Sequence, residues 1–166
     1  MRKRGFTLIE VVLYLGLISI LMGIFLVNQD KKEQVKQLGI AKQGIVQFIR
    51  EIQQVSYYEK REYVLDIKIS NKTISYMDNN GKLQKLELPS NISYMSNNIN
   101  RDSDFIRSTT TNGNFEKGFS IYLLDKGKKK IYYRVSTNTI NSLKYPIISV
   151  YKAKKAINVA EDYSNE

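Results

Sequence analysis

The sequence predicts an α+β protein, one long N-terminal helix followed by antiparallel strands. Three observations carry that prediction. An unbroken apolar run opens the chain, a stripe of apolar residues at helical spacing continues it, and beyond residue 60 the pattern changes to alternation punctuated by turn signals. With 166 residues, 42% of them hydrophobic, there is material for one ordinary globular domain plus an appendage. The chain has no cysteine and no histidine. Disulfides, thiolate metal sites and a cysteine nucleophile are therefore excluded, and the commonest general base and zinc ligand are missing, so neither a conventional enzyme nor a cofactor is expected. The formal charge of +10 would suit an anionic partner.

The first element is the apolar run. Residues 11–27 carry no charge, and extending back to Phe6 gives twenty-two residues broken only by Glu10. At about 1.5 Å per helical residue such a stretch crosses a hydrocarbon core about 30 Å thick. Arg2, Lys3 and Arg4 precede it, which by the positive-inside bias keeps the N-terminus cytoplasmic and sends the rest of the chain across the membrane. A cleaved secretory signal peptide would need a small-residue cleavage site, yet the chain after Val27 reads NQDKKEQ. A plain single-pass anchor fits the length but leaves Glu10 unexplained, because a lone carboxylate in lipid costs about 2.5 to 3.5 kcal/mol even on lenient scales. An intramembrane acid is retained when it finds a cation.

The string Gly5-Phe6-Thr7-Leu8-Ile9-Glu10, after a basic leader and before an apolar helix, closely resembles the class III signal of type IV pilins and type II secretion pseudopilins. The resemblance covers about the first 28 residues. It implies that a membrane-embedded prepilin peptidase cuts between Gly5 and Phe6 on the cytoplasmic side, and that the new amino group of Phe6 is N-methylated. Glycine before the cut lets the peptide enter a narrow protease site in an extended conformation. The resemblance further implies that Glu10 pairs with the Phe6 ammonium of a neighbouring subunit during assembly. Tip pseudopilins often lack this glutamate, so its presence argues against an obligate tip role. The implied partners are the peptidase, other pilin or pseudopilin subunits, an inner-membrane assembly platform and the cell membrane that stores the subunit before it enters a cell-surface or periplasmic filament.

Within the membrane segment Gly16, Ser19 and Gly23 fall on one helical face, and small residues there allow close helix approach. No proline interrupts the segment. From residue 28 the helix becomes amphipathic: Leu38, Ala41, Ile45, Phe48, Ile49, Ile52 and Val55 recur at spacings of three and four, a stripe expected to pack on a sheet, with Gly39 and Gly44 as candidate bend points. Strands are expected at 63–70, at 73–78 and 82–88 around Asn79-Asn80-Gly81, at 92–95, at 119–124 and 131–136 around a lysine-rich turn, and at 147–151. The stretch 89–118, rich in Asn, Ser and Thr, reads as variable surface loops. The organisation is thus a leader at 1–5, a transmembrane helix at 6–28, its amphipathic continuation at 29–58, a β-rich globular region at 59–152 and a polar, partly frayed tail at 153–166. Freed of the membrane segment, residues 29–166 are expected to form a soluble monomer.

Two further patterns were weighed. Asp102 and Asp104 form a D-x-D that lacks the other ligands and the turn glycine of a calcium loop, so no metal site is assigned. Lys128, Lys129 and Lys130 beside Tyr132 and Tyr133 could hold phosphates while a ring stacks on a base, which makes a pilus-borne DNA-binding subunit of an uptake system the alternative to a minor pilin or pseudopilin.

Overall fold

The computed structural model describes residues 7–97, 102–128, 130–137 and 148–158. Helix α1 (Leu8–Glu59) is followed by β1 (Val64–Lys68), β2 (Thr73–Met77), β3 (Leu83–Glu87), β4 (Ser93–Ser96), β5 (Phe105–Ser108), β6 (Phe119–Leu124), β7 (Lys130–Thr137) and β8 (Ile148–Asn158). This is an α+β, pilin-like layout. The chain divides into two compact units, Met1–Lys36 and Gln37–Glu166. In the first, every large apolar side chain from Leu8 to Leu26 is exposed.

In the second unit, the strands form two antiparallel four-stranded sheets, ordered β3-β2-β1-β5 and β4-β6-β7-β8. Leu38, Ala41, Ile45, Phe48, Ile49 and Ile52 of α1 are buried in one core with Leu65, Ile67, Ile74 and Tyr76 of the first sheet and Ile121, Leu123 and Val135 of the second. Val55, the last residue of the expected stripe, is only partly buried. The helix runs through Gly39 and Gly44 without interruption. At Gly44 a Cβ would come to 3.5 Å from a Leu86 methyl, an ordinary packing distance, so β3 lies directly over this turn of the helix.

The helix ends in a Schellman arrangement. The Arg61 amide donates to the Ser56 carbonyl at 3.3 Å, and Lys60 between them takes φ 52°, a conformation that favours glycine. Ser56, fully buried, lies 2.7 Å from the Thr110 carbonyl, which ties the 109–115 turn to the helix. Gly113 completes that turn at φ 76°, and a Cβ there would meet the Gln53 carbonyl oxygen at 2.5 Å.

Three expectations need correction. The stretch 89–118 holds the expected short strand as β4, but the rest is not simply surface loop: it also contains β5, and Phe105 and Phe115 stack edge-on against Phe119 in the core at 5.7 and 5.2 Å. The tail does not begin at residue 153, because β8 pairs with β7 as far as Asn158. An edge strand needs only backbone pairing on one side, so the lysines that made this stretch read as a tail are tolerated. In the β2–β3 hairpin only Gly81 has positive φ; Asn80 does not, and the Asp78 carboxylate organises the loop by accepting the Asn80 and Lys82 amides at 2.9 and 2.8 Å.

Two substitutions test this account of the second unit. Gly113→Ala should cost about 2 kcal/mol or more, because it combines left-handed backbone with overlap on a helix carbonyl. Lys60→Gly should gain about 1 kcal/mol by relieving the helix cap. Urea unfolding of residues 29–166 measures both, and equal, small effects would contradict the assigned backbone.

Candidate functional site

Gly5 and Phe6 lie outside the described residues, so the site begins at Thr7. Thr7 is the N-cap of α1: its carbonyl accepts the Val11 amide at 3.3 Å. Its hydroxyl oxygen lies 3.4 Å from the Glu10 amide, and Glu10 Oε2 reaches back to accept the Thr7 amide at 2.8 Å and the Thr7 hydroxyl at 2.9 Å. This is a reciprocal capping box. Helix N-termini leave amides without intrahelical acceptors, a costly condition in lipid, and here the Glu10 carboxylate answers the Thr7 amide while the Thr7 hydroxyl answers the Glu10 amide. This role of Glu10, not among the expectations above, is written locally in the sequence as T-x-x-E directly before the apolar run.

The lone-carboxylate argument changes accordingly. Oε2 is satisfied within its own chain, while Oε1 has no partner among the described residues. Glu10 can therefore hold the helix end and still present one oxygen to a cation from elsewhere.

Gly16, Ser19 and Gly23 lie within α1 in the same unit. Nothing lies within 4 Å of a Cβ built at either glycine, and the Ser19 hydroxyl donates to the Leu15 carbonyl at 2.8 Å. The small-residue face is thus open, and its one hydroxyl is spent on its own helix.

The lysine and tyrosine cluster is only partly assembled. Lys129 lies outside the described residues. Lys128 pairs with Asp102 at 2.7 Å and takes φ 55° in the turn, while Lys130 opens β7. Tyr132 and Tyr133 are half-buried against the core, and the Lys42 ammonium sits 5.1 Å from the Tyr133 ring centre. Neither ring is a free stacking platform. The sequence did not anticipate Lys72, whose ammonium donates to the Ile92 carbonyl at 2.9 Å and to the Ser90 carbonyl. Burial, then the nearby charges of Lys126 and Lys128, holds its pKa below the usual lysine range. The D-x-D carboxylates are engaged separately: Asp102 takes Lys128, and Asp104 accepts the Ser70 amide at 3.0 Å and hydroxyl at 2.8 Å, which keeps its pKa below the ordinary carboxylate value.

A capped helix end that carries a membrane-depth acid, leading into an all-apolar surface, is the context in which the N-terminal string gains meaning. Residues 1–26 carry the prokaryotic N-terminal methylation motif. That match supports the type IV pilin and pseudopilin family suggested by Gly5-Phe6-Thr7-Leu8-Ile9-Glu10. Among curated proteins nothing matches the chain, and among solved structures nothing matches it either.

Thr7→Val keeps the shape of the cap but removes its hydroxyl. Amide exchange at residues 7–10 in detergent micelles should then speed about fivefold, the equivalent of about 1 kcal/mol of capping. Unchanged exchange would mean that Glu10 holds the helix end without Thr7.

Proposed function

We propose that the chain is a structural subunit, a minor pilin or pseudopilin, of a type IV pilus-like or type II secretion filament. The observation that carries this reading is the methylation motif at 1–26 on a helix long and apolar enough to cross a membrane. Prepilin peptidase cuts after Gly5, Phe6 becomes the methylated N-terminus, and the subunit waits in the membrane by a single span with its globular part extracytoplasmic. Loss of Arg2, Lys3 and Arg4 takes the formal charge from +10 to +7. An assembly platform then adds it to the filament, where Glu10 sets axial register.

The chemistry of that last step follows from the cap. A secondary ammonium at Phe6 of one subunit and a carboxylate at Glu10 of the next are each costly in low dielectric when alone. Pairing them removes both costs, so the contact selects register even where its net stabilisation is small. Because Oε2 is already held by Thr7, the free Oε1 is the oxygen the ammonium meets. The DNA-binding alternative gains no comparable support, since Lys128 is paired with Asp102 and the rings of Tyr132 and Tyr133 lie against the core.

Two measurements test the reading. Intact mass spectrometry of the assembled protein from its native host should give a chain beginning at methylated Phe6, and a chain retaining residues 1–5 would sink the assignment. Glu10→Val should insert into the membrane normally, since it removes a charge from lipid, yet fall at least about tenfold in filament incorporation in a sheared-filament assay. Unimpaired incorporation would remove Glu10 from the register-setting role.

A further inference from the structure

The outer face of the β3-β2-β1-β5 sheet carries an unusual arrangement. Side chains alternate across a strand, so Leu65, Ile67, Ile74 and Tyr76 point into the core while Val64, Asp66, Lys68, Thr73, Ser75, Met77, Leu83, Lys85 and Glu87 point out. Across β1, β2 and β3 three outward residues are large, apolar and more than half exposed, Val64 at 54%, Met77 at 54% and Leu83 at 55%; Ile106 of β5, 58% exposed and paired with Asp66, lies on the same face outside this three-strand patch. The register sets the three side by side. Met77 pairs with Leu83, and Val64 precedes Leu65, whose partner Tyr76 precedes Met77 on the antiparallel strand.

The next two rows are charged. Lys85, Ser75 and Asp66 form one row, and Glu87, Thr73 and Lys68 form the other, each read across β3, β2 and β1. The sign therefore reverses from β3 to β1 within each row and from one row to the next. A two-fold axis laid along β2 superposes this pattern on its own complement. It brings Lys85 over the partner subunit's Asp66, Glu87 over the partner subunit's Lys68, Leu83 over the partner subunit's Val64, and Met77 over the partner subunit's Met77. We propose that this sheet face is a two-fold contact between two copies of the chain, held by the Leu83-Met77-Val64 row and keyed by the four charges.

Packing two sheets face to face in near-alignment is a standard geometry, and an axis parallel to the strands is compatible with its angle of about 30°. Small Thr73 and Ser75 on the central strand keep the middle of the face low, so the longer side chains of β1 and β3 can meet those of the second copy. Within one chain the charges form only same-strand pairs, Lys68 to Asp66 at 3.3 Å and Lys85 to Glu87 at 2.8 Å, both solvent-exposed and easily shared with a second copy. The face covers roughly 300 Å² from strand spacing and rise, below the about 800 Å² per partner of a standard stable interface. It is therefore a weak contact, effective where the local concentration of the chain is high. The monomer expected of the free domain is compatible with that strength. The contact depends on neither leader cleavage nor the Glu10 pairing.

The chain has no native cysteine, so one can be placed at will. In the full chain in membrane vesicles, Met77→Cys should join to itself through a bismaleimide matched to the about 10 Å spacing of stacked sheets, whereas Glu116→Cys, an exposed control, should not. Self-crosslinking at one position requires an isologous contact. Adding Lys85→Glu or Asp66→Lys to the Met77→Cys chain should each lower the yield about fivefold or more, because like charges then face each other twice. Mixing the two variant chains should restore it, since the mixed pair has opposite charges at both positions. A Met77→Cys yield no higher than that of the control would overturn the proposal, as would crosslinking only to a different protein or a mixture that stays as low as the single variants.

Discussion

The rest of this structure depends on one constraint: a single 52-residue helix must satisfy two different surroundings along its length. From Leu8 to Leu26 its large apolar residues are exposed on every side, a composition stable as a helix only where no water competes and every backbone group bonds internally. From Leu38 onward only one stripe is apolar and buried, and Gln43, Gln47, Arg50 and Gln54 occupy exposed positions around it. Glu10 is the apparent exception in the first stretch. The capping box removes much of the anomaly, because a carboxylate that accepts two hydrogen bonds from its own helix end is no longer a bare charge.

In the proposed assembly, Glu10 links local structure to the pairing of subunits. A helix that starts in a low-dielectric phase has unpaired amides at the same end where processing creates a charged amine, so one side chain can answer both needs. Pinning Oε2 restricts the side chain before any neighbour arrives, which lowers the entropy lost when Oε1 meets its cation. The sheet face described above acts at a different place and by different means, through apolar area and alternating charge rather than a buried pair.

Much of the fold was legible because its periodicities are strong. The stripe from Leu38 to Ile52 is buried as its spacing demanded, and the strands β1, β2, β3, β4, β6 and β7 fall within one or two residues of the runs expected for them. What was not legible depended on tertiary pairing. β5 is a four-residue strand whose identity rests on β1 beside it and on the phenylalanine stack beneath it. β8 begins where a strand was expected, but its continuation to Asn158 reads as polar and is placed by its ladder with β7. At the site, the N-terminal methylation motif was readable from local sequence alone, whereas the engagement of Lys128 by Asp102 and of Tyr133 by Lys42 joins residues far apart in the chain and left no local trace.

The claim that the first stretch is apolar all round because lipid covers it is open to direct measurement. Single cysteines placed in turn at 11–26 and at 37–55 of the full chain in sealed vesicles, with the globular part facing outward, can be challenged with a membrane-impermeant maleimide. Our account gives no labelling on any face across 11–26, and labelling with a period of about 3.6 residues across 37–55. A helical period of labelling within 11–26 would contradict it, because that stretch would then have one face in water.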